Sequence, residues 1–238
     1  TYNITAIYEQ TQNYSQSSRT NYVIVQDAQF PVIVLNTPMN AYNVSSRNVT
    51  FNITADDNYN ITNVSLWTNF TGTYQINQTN LTGTKGDYTF NVVNIPDGGY
   101  IWAGQVCDSS NNCNMTNNRT ITIDTTSPNI TAGAINVTNT SLNGYVRVNC
   151  TVIDAVIGLN IVLIGAKKPS LPQQNYSTSL LGGDTRYSDI QVDEVGNWTF
   201  SCYANDTLNN LASFYIGNVS VIQAADAPSI PVLQFPVD

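Results

Sequence analysis

Three stretches decide how the rest of the chain is read: Tyr2-Asn-Ile4-Thr-Ala6-Ile-Tyr8, Tyr100-Ile-Trp102-Ala-Gly104-Gln-Val106 and Trp198-Thr-Phe200-Ser-Cys202-Tyr-Ala204. They align without gaps, and each runs aromatic, large, small, then apolar at alternate positions. A period of two is that of a strand with one buried face. Each stretch is followed by a polar loop, a second strand and then a proline. The prolines are Pro31, Pro128 and Pro228, so the pattern recurs after 97 and 100 residues.

Other strands repeat in the same phase. Val49, Phe51, Ile53 and Ala55 alternate with Asn48, Thr50, Asn52 and Thr54 and end at Asp57, and Val146, Val148, Cys150 and Val152 do the same up to Asp154. Helical periodicity is absent, and turn signals such as Pro96-Asp97-Gly98-Gly99 separate the runs. Strand-only repeats of this length predict an all-β chain of tandem immunoglobulin-like β-sandwich domains in an elongated array. The expected boundaries are 1–28 (last two strands of a partial or strand-shared repeat), 29–126 (one domain), 127–225 (a second domain) and 226–238 (first strand of a further repeat, or a donor strand). The tail Pro228-Ser-Ile-Pro-Val-Leu-Gln-Phe-Pro236 matches Pro31-Val-Ile-Val-Leu-Asn-Thr-Pro38. Two accounts fit these partial repeats: a piece of a longer array, or termini that complete a neighbour's sandwich by strand donation.

Charged residues make up 10% of the chain, against roughly a quarter in ordinary soluble proteins. Asn, Thr and Ser, at 33, 28 and 18 residues, take their place on the surface. Twenty Asn sit in N-x-S/T acceptor sequons where about six would arise by chance. They are Asn3, Asn13, Asn43, Asn48, Asn52, Asn60, Asn63, Asn69, Asn77, Asn80, Asn114, Asn118, Asn129, Asn136, Asn139, Asn149, Asn175, Asn197, Asn205 and Asn218. On a strand, the Asn and Thr of Asn-Ile-Thr share the solvent face while Ile points inward, so a sheet can carry N-linked glycans without disturbing its core. The sequons predict N-glycosylation and an extracellular, cell-surface location. The chain starts without Met and shows no signal peptide, which reads as a mature or internal piece.

Net charge is −8, with three Lys and five Arg. No basic stripe exists to neutralise phosphates, which argues against nucleic acid and against an anionic membrane surface. The longest apolar run, 155–166, is interrupted by Asn160 and is too short to span a bilayer.

Four cysteines fit an oxidising compartment. Cys107 and Cys113 would close a small hairpin loop, and Cys150 with Cys202 would close a long one. Zinc is the competing idea, but the chain has no His and no CxxC pair. The strand phase puts Cys150 and Cys202 on inward positions of the second and sixth strands of their repeat, where immunoglobulin domains bridge their sheets. The first repeat has Ile53 and Gly104 there, a large side chain facing a small one, so the first domain is expected to unfold more easily than the second.

The segments Pro31-Val-Ile-Val-Leu-Asn-Thr-Pro38, Ser45-Ser-Arg-Asn-Val-Thr-Phe-Asn-Ile-Thr54, Asn63-Val-Ser-Leu-Trp67, Thr89-Phe-Asn-Val-Val-Asn-Ile-Pro-Asp-Gly98, Tyr100-Ile-Trp102 and Thr122-Ile-Asp-Thr-Thr-Ser-Pro128 resemble the tandem immunoglobulin-like repeats of archaeal cell-surface proteins. The likeness spans nearly all of the first repeat and is looser over 129–225. Members of that group usually carry the inter-sheet cysteine pair, which the second repeat keeps and the first replaces. The resemblance implies an S-layer-associated, adhesin or surface-filament protein and names no ligand.

No catalytic residues are expected. There is no His to act as a base, and Glu occurs only at Glu9 and Glu194. Asp56/Asp57 and Asp193/Glu194 are adjacent carboxylates, but neighbours on an extended chain point apart. Calcium is the candidate cofactor, at Asp57, Asp108, Asp124, Asp154 and Asp206. Asp57 and Asp154 end the second strand of each repeat, Asp108 and Asp206 follow the sixth, and Asp124 sits between domains; hard oxygen ligands on loops suit Ca²⁺. The competing reading is that Asp favours turns anyway. The aromatics at Tyr100, Trp102, Trp198 and Phe200 read as core, with Tyr100 placed for the corner hydrogen bond of this sandwich class. Three functions are compatible with these features. The leading one is a structural glycosylated filament, stalk or coat that self-associates end to end or by strand donation. The others are an adhesin-type binding module with pole loops at 108–118 or 165–176, and accessory domains of a secreted hydrolase.

Overall fold

The computed structural model describes residues 2–223, and among these residues it contains strands and turns with no helix. In chain order the strands are β1 (Tyr2–Tyr8), β2 (Ser17–Val23), β3 (Val32–Thr37), β4 (Tyr42–Val44), β5 (Val49–Asp56), β6 (Ile61–Thr68), β7 (Gln75–Asn80), β8 (Gly86–Val92), β9 (Gly98–Asp108), β10 (Cys113–Met115) and β11 (Arg119–Ile123). They continue with β12 (Asn129–Ile135), β13 (Asn139–Ser141), β14 (Tyr145–Ile153), β15 (Leu159–Lys167), β16 (Gln174–Ser177), β17 (Ser179–Gly182), β18 (Thr185–Gln191), β19 (Gly196–Asp206) and β20 (Leu211–Ile222). The strand expected within 226–238, with Pro228, lies outside the described residues. The chain divides into two compact units, 1–42 with 47–121, and 43–46 with 122 onward. The fold is all-β, with tandem immunoglobulin-like sandwiches.

In the first sandwich one sheet runs β3-β5-β8, and the other runs β11-β9-β6-β7 with β10 paired to β9 and β4 beside β11. Its core is built by the alternation read from the sequence: Val49, Phe51, Ile53 and Ala55 on β5 are all buried, and the polar residues between them are not. Phe51 meets Trp102 edge-on at 5.0 Å between ring centroids. Burying a side chain of this size contributes about 1.5–3 kcal/mol over leaving it in water. Gly104 faces Ile53 across the sandwich. A Cβ at Gly104 would lie 2.9 Å from the Cδ1 atoms of Ile33 and Ile53 and 3.1 Å from Cδ2 of Leu35. The two isoleucines therefore occupy the space that a cross-sheet disulfide fills elsewhere.

The second sandwich pairs a sheet β12-β14-β18-β17 with a sheet β13-β20-β19-β15-β16. Val146, Val148, Cys150 and Val152 on β14 are buried against Trp198, Phe200 and Cys202 on β19. Cys150 and Cys202 are bonded across the two sheets, their Cα atoms 6.4 Å apart. The small-loop bond, Cys107–Cys113, joins the facing strands β9 and β10.

The corner contacts also repeat. Tyr100 donates its hydroxyl to the carbonyl of Pro96 at 3.0 Å, and Trp198 at the matching position donates Nε1 to the carbonyl of Glu194 at 2.9 Å. Each donor reaches the residue four before it, which pins the turn to the start of the sixth strand. Trp102, Trp198 and Phe200 are core residues, and Tyr100 is half-buried with its hydroxyl at the corner.

β1 and β2 form a two-stranded antiparallel hairpin, Tyr2 opposite Val23 and Tyr8 opposite Ser17, which joins no other sheet among the described residues. Ile4 and Tyr8 occupy positions that match buried Trp102 and Val106, yet they are 59% and 69% exposed.

Two measurements test the division of labour between the cores. Gly104→Ala is expected to destabilise the first unit by about 1–3 kcal/mol through overpacking, read as a lower denaturant midpoint for the transition that Trp102 reports. Replacing both Cys150 and Cys202 by Ala is expected to cost the second unit about 4 kcal/mol, the chain-entropy value for a loop of this length. Calorimetry should then show the order of the two melting transitions reversed or merged.

Candidate metal centres

Each sixth strand ends in a five-residue turn of one design, Asp108-Ser-Ser-Asn-Asn112 after β9 and Asp206-Thr-Leu-Asn-Asn210 after β19. The fourth residue of each turn, Asn111 or Asn209, takes a left-handed backbone with φ of 66° or 65°, which Asn tolerates better than other side chains. The backbone closes by Asp108 N to Asn112 O at 3.0 Å, and by Asp206 N to Asn210 O at 3.3 Å. Within the turn, the first carboxylate gathers donors. Oδ1 of Asp108 accepts from the amides of Ser110 and Asn112, both at 2.8 Å. Oδ1 of Asp206 accepts from those of Leu208 and Asn210 at 2.8 and 2.9 Å.

The last Asn of each turn reaches outward with the same two bonds. Asn112 Nδ2 donates to Asp108 Oδ2 at 2.7 Å and to the carbonyl of Asp27 at 3.0 Å. Asn210 Nδ2 donates to Asp206 Oδ2 at 2.6 Å and to the carbonyl of Asp124 at 3.1 Å. The segment that precedes each sandwich is thereby tied to the turn at its pole. Asp27 and Asp124 sit in these segments, each four residues before the proline that opens the repeat. Asp27 Oδ1 accepts from the amide of Gln29 at 3.0 Å, and Asp124 Oδ1 from that of Thr126 at 3.1 Å. Both are the local Asx turn that short carboxylates make.

The third member arrives from the end of the second strand. Asp57 Oδ2 accepts from Tyr59 N at 2.8 Å, and Asp154 Oδ1 accepts from the amides of Val156, Ile157 and Gly158 at 2.8–3.1 Å. Two clusters result, Asp27 with Asp57 and Asp108, and Asp124 with Asp154 and Asp206. In each, one carboxylate oxygen from every member lies within 4.8 Å of the others. Asp57 is 5% exposed, Asp108 1%, and Asp124 and Asp206 are fully buried. No ion pair among the described residues reaches any of the six; the four present join Arg47–Asp97, Lys85–Asp56, Arg147–Asp189 and Lys168–Asp193. Burial opposes ionisation of Asp108, but the side-chain and backbone hydrogen bonds of Asn112, with that of Ser110, outweigh it and hold this carboxyl below the usual carboxylate range.

The five aspartates singled out in the sequence are thus distributed as two and three. Asp124 is not a separate site between domains, because it shares a cluster with Asp154 and Asp206. Sequence reasoning missed Asp27, Asn112 and Asn210. Their signal was the repeat itself: Asp27 and Asp124 are 97 residues apart, as are Asp57 and Asp154, while Asn112 and Asn210 are 98 apart, as are Asp108 and Asp206. The adjacent carboxylates Asp56 and Asp57 point apart, Asp56 to Lys85 at 3.2 Å and Asp57 into the cluster. Asp193 and Glu194 likewise have separate partners, Lys168 and Ser170.

At the level of sequence, no family model and no curated protein matches the chain. Solved structures of similar fold include the three N-terminal domains of the bacteriophage RB49 highly immunogenic outer capsid protein, at 10% identity and TM-score 0.44, covering 94% of this chain and 88% of that one. The fibronectin(III)-like modules of Clostridium thermocellum CbhA match at 10% identity and TM-score 0.38, over 81% of this chain and 95% of theirs. The D00-D0 domain of intimin matches at 12% identity and TM-score 0.35, over 81% of this chain and all of that one. These neighbours are repeats of immunoglobulin- or fibronectin-III-like domains, and the likeness is one of fold alone.

Asn210→Ala leaves the Asp124 carbonyl and one Asp206 oxygen without a donor. It is expected to destabilise the second unit by about 1–3 kcal/mol, measured by urea unfolding. Asn112→Ala should have the smaller effect, because the Cys107–Cys113 bond brackets the equivalent turn.

Proposed function

We propose that the chain is a non-catalytic, glycosylated structural module of an extracellular surface, an archaeal cell-surface filament, stalk or coat built from immunoglobulin-like repeats. The observation that carries this reading is the placement of the sequons. None of the twenty sequon asparagines is buried, and fourteen are exposed; Asn52, Asn63, Asn69, Asn80, Asn149 and Asn205 are half-buried. Inward residues of the same strands build the cores. Glycans on these asparagines would shield exposed sheet faces and edges while leaving the packing untouched. Two disulfides with no free cysteine among the described residues suit an oxidising exterior.

The β1–β2 hairpin supports a continued array. Its antiparallel register and its exposed Ile4 and Tyr8, at positions buried in the sandwiches, support reading it as the last two strands of a repeat. Strands packed against its exposed apolar side chains would complete it as a sandwich.

Peptide mass spectrometry of protein from its native source tests the reading. Sugar is expected on most of the fourteen exposed sites, with lower occupancy at Asn52, Asn63 and Asn149, which are half-buried within strands. Fewer than a handful of occupied sites would defeat it.

A further inference from the structure

We propose that the two aspartate clusters are a pair of calcium sites, one at the pole of each sandwich. Asp27, Asp57 and Asp108 would ligate one ion and Asp124, Asp154 and Asp206 the other. Asn112 and Asn210 are positioning residues, since each donates to one ligand carboxylate and to the backbone carbonyl of a second ligand residue.

Turn formation accounts for only part of what these aspartates do. An Asx turn uses one oxygen of a carboxylate. Asp27 Oδ2, Asp57 Oδ1 and Asp124 Oδ2 are buried oxygens with no hydrogen-bond partner among the described residues. Two of the three belong to side chains more than nine-tenths buried, at 5% and 0% exposure. A buried carboxylate oxygen without a donor is costly, and three like charges within 4.8 Å of one another compound that cost. A divalent cation removes both penalties at once.

Residue choice points the same way. Asn makes Asx turns as readily as Asp, and in this chain Asn outnumbers Asp by 33 to 14. Even so, all six cluster positions are Asp. At Asp108 and Asp206 both oxygens accept hydrogen bonds, which one carboxamide oxygen could not do. At Asp27, Asp57 and Asp124 an Asn would have kept the turn and avoided the repulsion, so there the negative charge is what turn formation leaves unexplained. The arrangement then occurs twice, from the same three segments of each repeat.

The ligand set selects the metal class. All donors are oxygens, no His exists, and all four cysteines are in disulfides, which disfavours zinc and copper. The three carboxylates come from an incoming segment, a strand end and a turn. Such a set gives an irregular oxygen cage suited to Ca²⁺ rather than the near-ideal octahedron that Mg²⁺ demands. The ion would fasten the segment at 27–31 or 124–128 to the pole of its own sandwich, adding to the Asn bridge.

The chain, stripped with chelator and titrated calorimetrically with CaCl₂, should bind two ions with dissociation constants of about 10⁻⁵–10⁻³ M, and MgCl₂ at least about tenfold more weakly. At 10 mM, Ca²⁺ should raise melting temperatures by roughly 5–15 °C relative to chelator. Asp57→Asn and Asp124→Asn should each leave one site. In chelator both should melt at or above the wild type, because one of three like charges is gone. The control Asp184→Asn, on an exposed turn, should leave both sites. Absence of binding by the unmodified chain at 10 mM Ca²⁺ would overturn the proposal, as would retention of two sites in the Asp57 and Asp124 variants.

Discussion

Everything in each sandwich is arranged around one contact, that between the second and sixth strands across the core. Two antiparallel sheets can be joined only through side chains that meet in the middle, and these two strands supply the central ones. The repeats solve the problem differently at the same position. In the second, Cys150 and Cys202 are covalently joined. In the first, Ile53, with Ile33 and Leu35, fills the room left by Gly104. One solution restricts the unfolded chain and the other relies on dispersion and exclusion of water, so the two units fill the same position by different means.

The same two strands run on to the pole, and that is where chemistry other than packing collects. The second strand delivers Asp57 or Asp154, and the sixth delivers the turn with Asp108 or Asp206. The chain entering the domain contributes Asp27 or Asp124. Because the core fixes the two strands relative to each other, their ends arrive side by side at the pole, where the three carboxylates lie within 4.8 Å of one another. The Cys107–Cys113 bond, which joins the strands on either side of the Asp108–Asn112 turn, holds one of these turns covalently. The other turn keeps nearly identical hydrogen bonds without a staple, which shows that the Asp and Asn side chains suffice to shape it.

The polar faces have a separate role. With few charges to spare, the chain covers its strands with Asn and Thr, and cross-strand pairs such as Thr50–Asn91 and Thr151–Thr185 link neighbouring strands on these faces. Sequons arise within this coat, so the solvent-facing side of these strands is also the side that carries the acceptor asparagines.

By itself the sequence determined the all-β class, the recurring strand pattern, which residues of the second and sixth strands of the two sandwiches face inward, and both disulfides. These follow from a period of two and from internal repetition, both local properties that a linear reading captures. Val49, Phe51, Ile53 and Ala55, and Cys150 with Cys202, are where the alternation puts them. The aspartates were visible only as scattered turn residues. Their grouping, the membership of Asp27, and the bridging by Asn112 and Asn210 depend on three segments up to 85 or 86 positions apart meeting at one pole. Hydrophobic periodicity carries no information about that convergence, because it says which way a side chain faces and nothing of which strand end it will meet. Only the closed sandwich brings the carboxylates together and buries oxygens that have no hydrogen-bond partner among the described residues.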